Sequence, residues 1–319
     1  MNRRTLMLLA GAAPFTSALS QTQFPNRPIR VVIPFPSGSS TDVIVRRLGE
    51  HVSKTLGQPV VVESKPGASG LIAARAVLSG PKDGHTLFLG TNSTHAANLY
   101  LVKDLGYDPL KDFVPITQTT SNTLLLVVNA DLPVRTVQEF VKYAKERPGK
   151  LSYGTGNSGG LVAVQLLKMK TGIDAVPINY QGTAQATTDL AAGRLEFMMV
   201  DPVVIRPFIQ SGKVRVLGLS SKQRLPSMPE AKPLAESGIS DYQYASWGGL
   251  FGPDGTPPDV ILRLNQAFTQ ALTDSSNEKF FGDLGIIPSP SRPEVFQAFV
   301  QDQVKVWGEL VKEAKLTPQ

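Results

Sequence analysis

Short apolar runs alternate with amphipathic stretches along the chain from about residue 27. The run IRVVIPF is typical of a buried strand, and the segment after it places an apolar residue at every fourth position from Ile44 to Leu56, on one helical face. Further strands are predicted at PVVVE and HTLFLG, with the helix LIAARAVLS between them. Strands that alternate with helices predict right-handed βαβ units and a parallel sheet.

A second set of the same kind begins after TLLLVVNA. Thr136 and Glu139 have capping-box spacing, so we predict a helix from there to about residue 147. The strands KLSYG, AVPINY, LEFMMV and VRVLGLS then alternate with three helices. The strand SWGGLFGP and two long amphipathic helices, the last with Trp307 on its apolar side, complete the chain. The chain is therefore predicted to leave one α/β domain near residue 123, build a second, and return near residue 245.

Two crossings between two α/β domains predict a hinged cleft, and ligands of open α/β sheets bind beyond the carboxyl ends of the strands. We assign residues 21–122 and 245–319 to the first domain and residues 123–244 to the second. Residues 1–20 are predicted to be a signal peptide, because two arginines precede the short apolar run TLMLLAGAA and small residues precede Gln21. We therefore expect a periplasmic protein, exported by the general secretory route rather than the twin-arginine route.

Composition narrows the possible chemistry. The 319 residues include no cysteine and three histidines, His51, His85 and His95, which lack the clustering that a metal site needs. The formal charge of +6 is spread along the chain without a basic run interleaved with aromatic residues, so no nucleic-acid partner is expected. Beyond the N-terminus no run is apolar for about 20 residues, so the mature chain is not expected to enter a membrane. We expect no metal and no cofactor.

The stretch YGTGNSGG admits three interpretations. Gly156, Ser158 and Gly160 fit the nucleophile elbow of a hydrolase, but that fold places the histidine base after the serine, and every histidine here precedes it. Gly154, Gly156 and Gly159 fit a dinucleotide fingerprint, but the acid at suitable spacing precedes the next strand instead of ending it. The third interpretation is an anion-binding loop, whose N–H groups point outward at the positive end of a helix dipole.

Loops of the same kind follow other predicted strands. Their glycines and small polar residues are Ser37, Gly38, Ser39, Ser40 and Thr41 after the first strand, Thr91, Asn92, Ser93 and Thr94 after the third, and Gly182 and Thr183 in the second domain. Each half supplies two such loops, so they are expected to converge on one cleft, where a ligand with carboxylates at two ends would suit them. Two acids are further candidates, although each also suits the helix it precedes: Asp42 by dipole pairing, and Asp201 as an N-cap.

Stretches along nearly the whole mature chain resemble, in order, the Bug family of extracytoplasmic solute receptors of tripartite tricarboxylate transporters. They are RPIRVVIPFPSGSSTDVIVRRL, GQPVVVESKPGASG, DGHTLFLGTNSTHAAN, YDPLKDFVPIT, PGKLSYGTGNSGG, INYQGTAQATTDLAAGRLEFMM, GKVRVLGLSSKQRLPSMP and SWGGLFGPDGTPPDVILRLN. The resemblance implies two α/β domains joined by two crossover strands, the type II periplasmic-binding-protein or Venus flytrap architecture, which closes on a carboxylate ligand.

The resemblance also implies which residues contact the ligand, through backbone N–H groups, small polar side chains and bridging waters. They are Phe35, Ser37, Gly38, Ser39, Ser40, Thr41 and Asp42 in one domain and Gly156, Asn157, Ser158 and Gly159 in the other, with Thr91, Asn92, Tyr180, Gly182, Thr183 and Asp201 around them. The implied partners are a small carboxylate solute and the membrane subunits of a tripartite tricarboxylate transporter, or a sensor kinase. We expect a monomer without catalytic activity.

The chain departs from the usual family pattern near the cleft. Ser39 stands where a glycine is usual, Gln181 where a lysine is usual, and Gly159 and Gly160 where a small hydroxyl residue and a histidine are usual. Loss of a lysine and a histidine predicts a ligand with one carboxylate and a less polar or neutral far end. The alternative functions are a periplasmic serine hydrolase that uses Ser158, a sensing module of a two-component system, and an interaction module without a solute.

Overall fold

The computed structural model describes residues 24–318, and the signal peptide predicted for residues 1–20 lies outside them. One sheet contains β1 (Ile29–Ile33), β2 (Val60–Ser64), β3 (Thr86–Thr91), β4 (Phe113–Asn122) and β10 (Ser246–Pro253). The other contains β5 (Leu125–Asn129), β6 (Leu151–Thr155), β7 (Ala175–Asn179), β8 (Phe197–Val200) and β9 (Val214–Leu219). The strand orders are β2-β1-β3-β10-β4 and β7-β6-β8-β5-β9.

Helices connect these strands at the positions that the apolar spacing predicts, with small shifts at the ends. They are α1 (Ser40–Leu56), α2 (Leu71–Leu78), α3 (Asn98–Leu101), α4 (Val137–Lys145), α5 (Ser158–Thr171), α6 (Thr183–Ala191), α7 (Pro202–Gln210), α8 (Pro258–Leu272), α9 (Ser275–Leu284) and α10 (Pro293–Glu313). The predicted capping box at Thr136 and Glu139 begins α4. Strand β4 and helices α3 and α9 were not predicted, and the loop after β3 forms a π-helical turn at Ser93–Ala97.

The prediction of a parallel sheet is correct for the βαβ units and wrong for the strands next to the crossings. β1 is parallel to β2 and β3, and β6 is parallel to β7 and β8. β10 is antiparallel to β3 and β4, and β5 is antiparallel to β8 and β9. Both β5 and β10 arrive from the other sheet instead of through a helical crossover within their own, so the βαβ rule does not fix their direction.

The chain passes between the two sheets twice, and hydrogen bonds tie the two crossings together. The first crossing joins β4 to β5 and the second joins β9 to β10. The buried hydroxyl of Ser220 accepts a hydrogen bond from the Leu124 N–H at 2.7 Å and donates one to the Tyr244 carbonyl at 2.8 Å. The Thr123 hydroxyl lies 3.2 Å from the same oxygen. The crossings therefore form one hinge region between two α/β domains.

A continuous apolar cluster extends behind the hinge region from one sheet into the other. Trp307 on α10 is 1 % exposed and lies edge-on to Tyr244 with 6.0 Å between ring centres. The hydroxyl of Tyr242 donates a hydrogen bond to the Ala163 carbonyl of α5 at 2.7 Å. Trp307 lies in the core, as its place on the apolar side of the last helix predicts, and this cluster anchors the second crossing against both domains.

Candidate functional site

A cavity lies between the two domains, at the carboxyl ends of β1, β3, β6 and β8. Many of the predicted site residues line it: Phe35, Ser39, Ser40, Thr41, Thr91, Asn92, Gly156, Asn157, Gly159, Thr183 and Asp201. The loops of the two domains thus meet at one place. This is expected, because the loops that connect parallel strands to the helices after them lie at the carboxyl edge of each sheet. Whether each of these residues contacts a ligand stays a prediction.

The lining also includes residues outside the predicted contact set, although Ser93, Gly154 and Gly160 among them belong to loops that the sequence predicts at the cleft. They are Pro36, Ile44, Ser93, Thr120, Asn122, Leu124, Gly154, Gly160, Met198, Met199, Val200, Val204, Ser246, Trp247 and Gly248. Many of them lie on β4, β8 and β10 or beside the crossings. The cavity consequently has a loop side, built from helix N-termini, and a hinge side, built from strand ends near the crossings.

The remaining predicted site residues do not line the cavity in the described part of the chain: Ser37, Gly38, Asp42, Ser158, Tyr180 and Gly182. Ser37 and Gly38 are exposed. The Tyr180 hydroxyl donates a hydrogen bond to Asp189 at 2.7 Å. Gln181, the position where the family usually has a lysine, is also exposed and outside the lining.

Asp42 is buried and braces the loop that leads into α1. Its carboxylate accepts a hydrogen bond from the Gly38 N–H at 3.0 Å and one from the Arg46 guanidinium at 2.9 Å. Ser39 is the N-cap of α1 and accepts from the Asp42 N–H at 3.4 Å. The acid therefore stabilises the loop before α1, a role that was not predicted, and it does so from within the first turn of the helix, where dipole pairing was expected.

The first turns of four helices border the cavity. In an α-helix the first N–H groups have no carbonyl of the same helix to bond. Those groups belong to Ser40 and Thr41 on α1, Ser158 and Gly159 on α5, Thr183 on α6, and Val204 on α7. The positive ends of four helix dipoles therefore converge on one cavity, an arrangement that favours a bound anion.

The stretch YGTGNSGG forms the turn from β6 into α5. Asn157 is the N-cap of α5, and its side chain accepts a hydrogen bond from the Gly160 N–H at 2.8 Å. The same side chain donates to the Thr183 hydroxyl at 3.3 Å, which ties the turn to the start of α6. Asn157 thus fixes the direction of two helix N-termini at once.

Glycines allow these loops to approach one another. A Cβ atom on Gly156 would lie 2.3 Å from the Thr183 nitrogen, and one on Gly182 would lie 2.9 Å from the Pro36 ring. Gly182 belongs to the second domain and Pro36 to the first, so their contact narrows the mouth of the cavity. The Ser158 hydroxyl also crosses the cleft and donates to the Asn98 side-chain oxygen at 3.3 Å. The two domains are therefore in contact, and the cleft is closed.

Asp201 lies on the hinge side, where β8 ends and α7 begins. It occupies the predicted N-cap position with Pro202 after it, but its side chain makes no capping hydrogen bond. Burial raises the pKa of the Asp201 carboxyl to about 6, an effect that a hydrogen bond with Ser246 partly offsets. Asp201 therefore borders the cavity without capping its helix.

Replacing Asp201 by asparagine is expected to stabilise the ligand-free protein near neutral pH. Because the folded-state pKa is raised above the ordinary value, ionisation of Asp201 costs stability as the pH rises through about 6. Asparagine removes that cost. We expect the unfolding temperature of Asp201→Asn to exceed that of the wild type by a few degrees at about pH 8 and to match it below about pH 4. A variant that is less stable at the higher pH would contradict this account of the site.

The histidines and lysines lie elsewhere. His95 is fully buried and stacks on Phe251 at 3.9 Å, and burial lowers its pKa to about 3. Lys168, on the helix that Ser158 begins, donates to the Ala175 carbonyl at 2.8 Å. Among residues 24–318, no three histidine or acidic side chains are grouped as a metal ion would require. The same range contains no helix of the length and apolar character that crossing a bilayer demands.

Two α/β domains with a hinge region and a closed cleft lined by helix N-termini define a two-domain ligand-binding protein of the periplasmic-binding-protein class. The family model described as "Tripartite tricarboxylate transporter family receptor" matches residues 44–316. The chain belongs to this family, whose members are substrate-binding proteins, and the family and fold predicted from the sequence are confirmed.

Similar proteins extend over almost the full length of this one. BugT of Bordetella pertussis is 30% identical over 320 residues, which cover 98% of this chain and 98% of BugT. The structure of R. palustris Rpa4515 with adipate is 32% identical, with a TM-score of 0.90 over 93% of this chain and 100% of that one. MatC from Rhodopseudomonas palustris with bound malate is 32% identical, with a TM-score of 0.84 over 90% of this chain and 100% of that one.

Proposed function

We propose that this protein captures a small carboxylate solute in the cleft between its domains and presents it to the membrane subunits of a tripartite tricarboxylate transporter. The convergence of the first turns of α1, α5 and α6 on one cavity carries the proposal, because these turns offer N–H groups and dipole ends to an anion. The adipate and malate held by two similar proteins support it.

The predicted contact set has two parts in this proposal. Residues that line the cavity contact the solute directly, chiefly through N–H groups of Ser40, Thr41 and Gly159 and through the side chains of Asn92 and Thr183. Residues outside the lining support those contacts. Asp42 braces the first loop, and Ser158, Tyr180 and Gly182 hold the second-domain loops.

Capture requires that the solute favour the closed state. A ligand shifts a conformational equilibrium only by its difference in affinity for the two states. A solute in this cavity meets helix N-termini of both domains only while the domains are together. The direct contacts across the cleft, from Ser158 to Asn98 and from Gly182 to Pro36, add to that preference. Hinge bending at the two crossings then opens and closes the site.

The same proposal assigns the chain to the periplasm as a monomer without catalytic activity. It includes export through cleavage of residues 1–20 and domain limits at residues 122–123 and 244–245. The crossings between the two sheets support those limits. The sequence also left open that a sensor kinase, instead of a transporter, recognises the closed form.

Replacing Ser158 by alanine separates a receptor from a serine hydrolase. In a receptor the variant loses one hydrogen bond across the closed cleft, so we expect its affinity to fall by about 2–10-fold. Calorimetry with a panel of mono- and dicarboxylates measures that change, and Ser211→Ala, an exposed serine outside the cleft, is the matched control. Wild-type turnover of a panel of small esters that Ser158→Ala abolishes would establish the hydrolase instead.

A further inference from the structure

The charges around the cavity are unusual for a site that binds an anion. Within residues 24–318, its lining contains no lysine, arginine or histidine. The one ionisable side chain among the lining residues is Asp201, an acid. Helix N-termini can receive one carboxylate on the loop side, but no cationic side chain of the described lining is present to receive a second one.

Asp201 and the N-termini of α1 and α6 lie at different sides of this cavity. Asp201 follows Val200, which pairs with Leu125 beside the first crossing, and Ser246 next to it pairs with Asn122 where β10 and β4 adjoin the crossings. The N-termini of α1 and α6 lie where Pro36 meets Gly182, and β7, the strand before α6, is the sheet edge away from β5. A ligand whose carboxylate rests on the N-termini of α1 and α6 therefore directs its far end towards Asp201.

No cation in the described part of the chain compensates Asp201. Ser246 of β10 faces it, Tyr244 of the second crossing is the titratable group next to it, and Tyr242 lies beside Tyr244. Burial raises the pKa of both tyrosines well above its usual range, so both stay neutral. Arg206, on the same helix as Asp201, lines a separate surface groove.

A second polar group on the ligand consequently meets an acid. An ionised ligand carboxylate would place two like charges together in a site of low dielectric, which is costly. An ammonium group would instead pair with the half-buried carboxylate and donate hydrogen bonds to it, which is the arrangement that makes a charge removed from water tolerable. A neutral far end would leave the acid without a cationic partner.

We propose that Asp201 is a specificity-determining residue that makes this receptor prefer amino-carboxylates, with one carboxylate and one protonated amine, over dicarboxylates of the same length. The inference rests on the proposed function, since the carboxylate end uses the same helix N-termini. The sequence predicted a ligand with a less polar or neutral far end, whereas this proposal assigns the ligand a positively charged far end.

Calorimetry with length-matched ligand pairs tests the proposal. The pairs are γ-aminobutyrate with succinate, δ-aminovalerate with glutarate, and ε-aminocaproate with adipate. At about pH 7.5 we expect the best amino-carboxylate to bind at least about tenfold more tightly than its dicarboxylate partner. Asp201→Asn is expected to remove this preference, while Asp131→Asn, an exposed acid outside the cavity, keeps it.

The pH dependence gives a second readout. Amino-carboxylate binding needs the ionised acid, of which about one tenth remains one pH unit below a pKa of about 6. Affinity for the amino-carboxylate should thus fall about tenfold between about pH 7.5 and about pH 5 in the wild type and stay level in Asp201→Asn. The unfolding temperature of each variant shows that it is folded.

The outcomes separate the two proposals. Tighter binding of a dicarboxylate at about pH 7.5, or of an amino-carboxylate without a change in Asp201→Asn, overturns the role of Asp201 while the carboxylate receptor stands. No binding by either series at either pH, with a folded wild type, overturns the receptor function itself.

Discussion

Alanine in place of Gly156 is expected to abolish ligand binding. Its Cβ would lie 2.3 Å from the Thr183 nitrogen and 2.4 Å from the Gly182 carbonyl carbon, so the turns before α5 and α6 must move apart. The N–H groups of the two helices then no longer point to one place. We expect the affinity for a carboxylate ligand to fall by at least about 100-fold and the free energy of unfolding by about 1–3 kcal/mol, measured by calorimetry and by denaturant titration.

Gly282→Ala is the matched control for this substitution. Gly282 lies within α9, and a Cβ placed there has no neighbouring atom within 4 Å. Alanine in a helix interior stabilises by about 0.5–1 kcal/mol relative to glycine, so the control should bind normally and be slightly more stable. Wild-type affinity in Gly156→Ala would show that the close approach of the two turns is unimportant for the site.

Trp307→Ala is expected to have the largest effect on stability. Trp307 is 1 % exposed and packs on Tyr244, which belongs to the second crossing. Removal of a buried indole costs about 3–5 kcal/mol, because the surrounding cluster cannot fill the space. The Tyr244 hydroxyl accepts a hydrogen bond from the Asn92 side chain at 3.2 Å, so the change should also weaken ligand binding through Asn92.

The neighbouring residue on the same helix provides the control for Trp307. Val306 is 37% exposed, so Val306→Ala removes little buried surface and should cost less than about 1 kcal/mol. Denaturant titration of both variants measures the two costs. Equal losses would contradict the view that the cluster around Trp307 anchors the crossing.

The parts of the site that follow local sequence rules were predictable. A strand, a turn of glycines and small polar residues, and an apolar helix face occur together around Ser39 and around Asn157, and both residues are N-caps in the structure. The capping box at Thr136 is equally local. Such segments contain their own start signals within a few residues, so they need no information from the rest of the chain.

The hinge side of the cavity depends on contacts between distant residues. Thr120 and Asn122 enter the lining because β4 pairs with β10, where Gly248 lies opposite Thr120 and Ser246 opposite Asn122. This pairing joins two segments of the chain that the whole second domain separates. An apolar run such as SWGGLFGP predicts a strand, but it does not predict that β10 lies antiparallel to its neighbours.

For Asp42 and Asp201 the sequence left two possible roles open, and the packing of the folded protein decides between them. Asp42 and Asp201 both stand at helix starts, and each fitted a structural role as well as a ligand contact. Asp42 bonds to Gly38 and Arg46 behind the loop. Asp201 makes no capping bond and borders the cavity. Their sequence contexts are alike, and only the arrangement of the second domain against the hinge separates them.

The claim that the cleft closes on a carboxylate solute is tested most directly by a distance between the domains. The chain has no cysteine, so Lys54→Cys on α1 and Lys170→Cys on α5, both exposed positions, can carry a single pair of spin labels. Pulsed electron paramagnetic resonance should show a longer distance without ligand and a shorter, narrower one with the tightest-binding carboxylate of the panel, and no shortening in Gly156→Ala. An unchanged distance at saturation with a carboxylate that binds would contradict capture by domain closure.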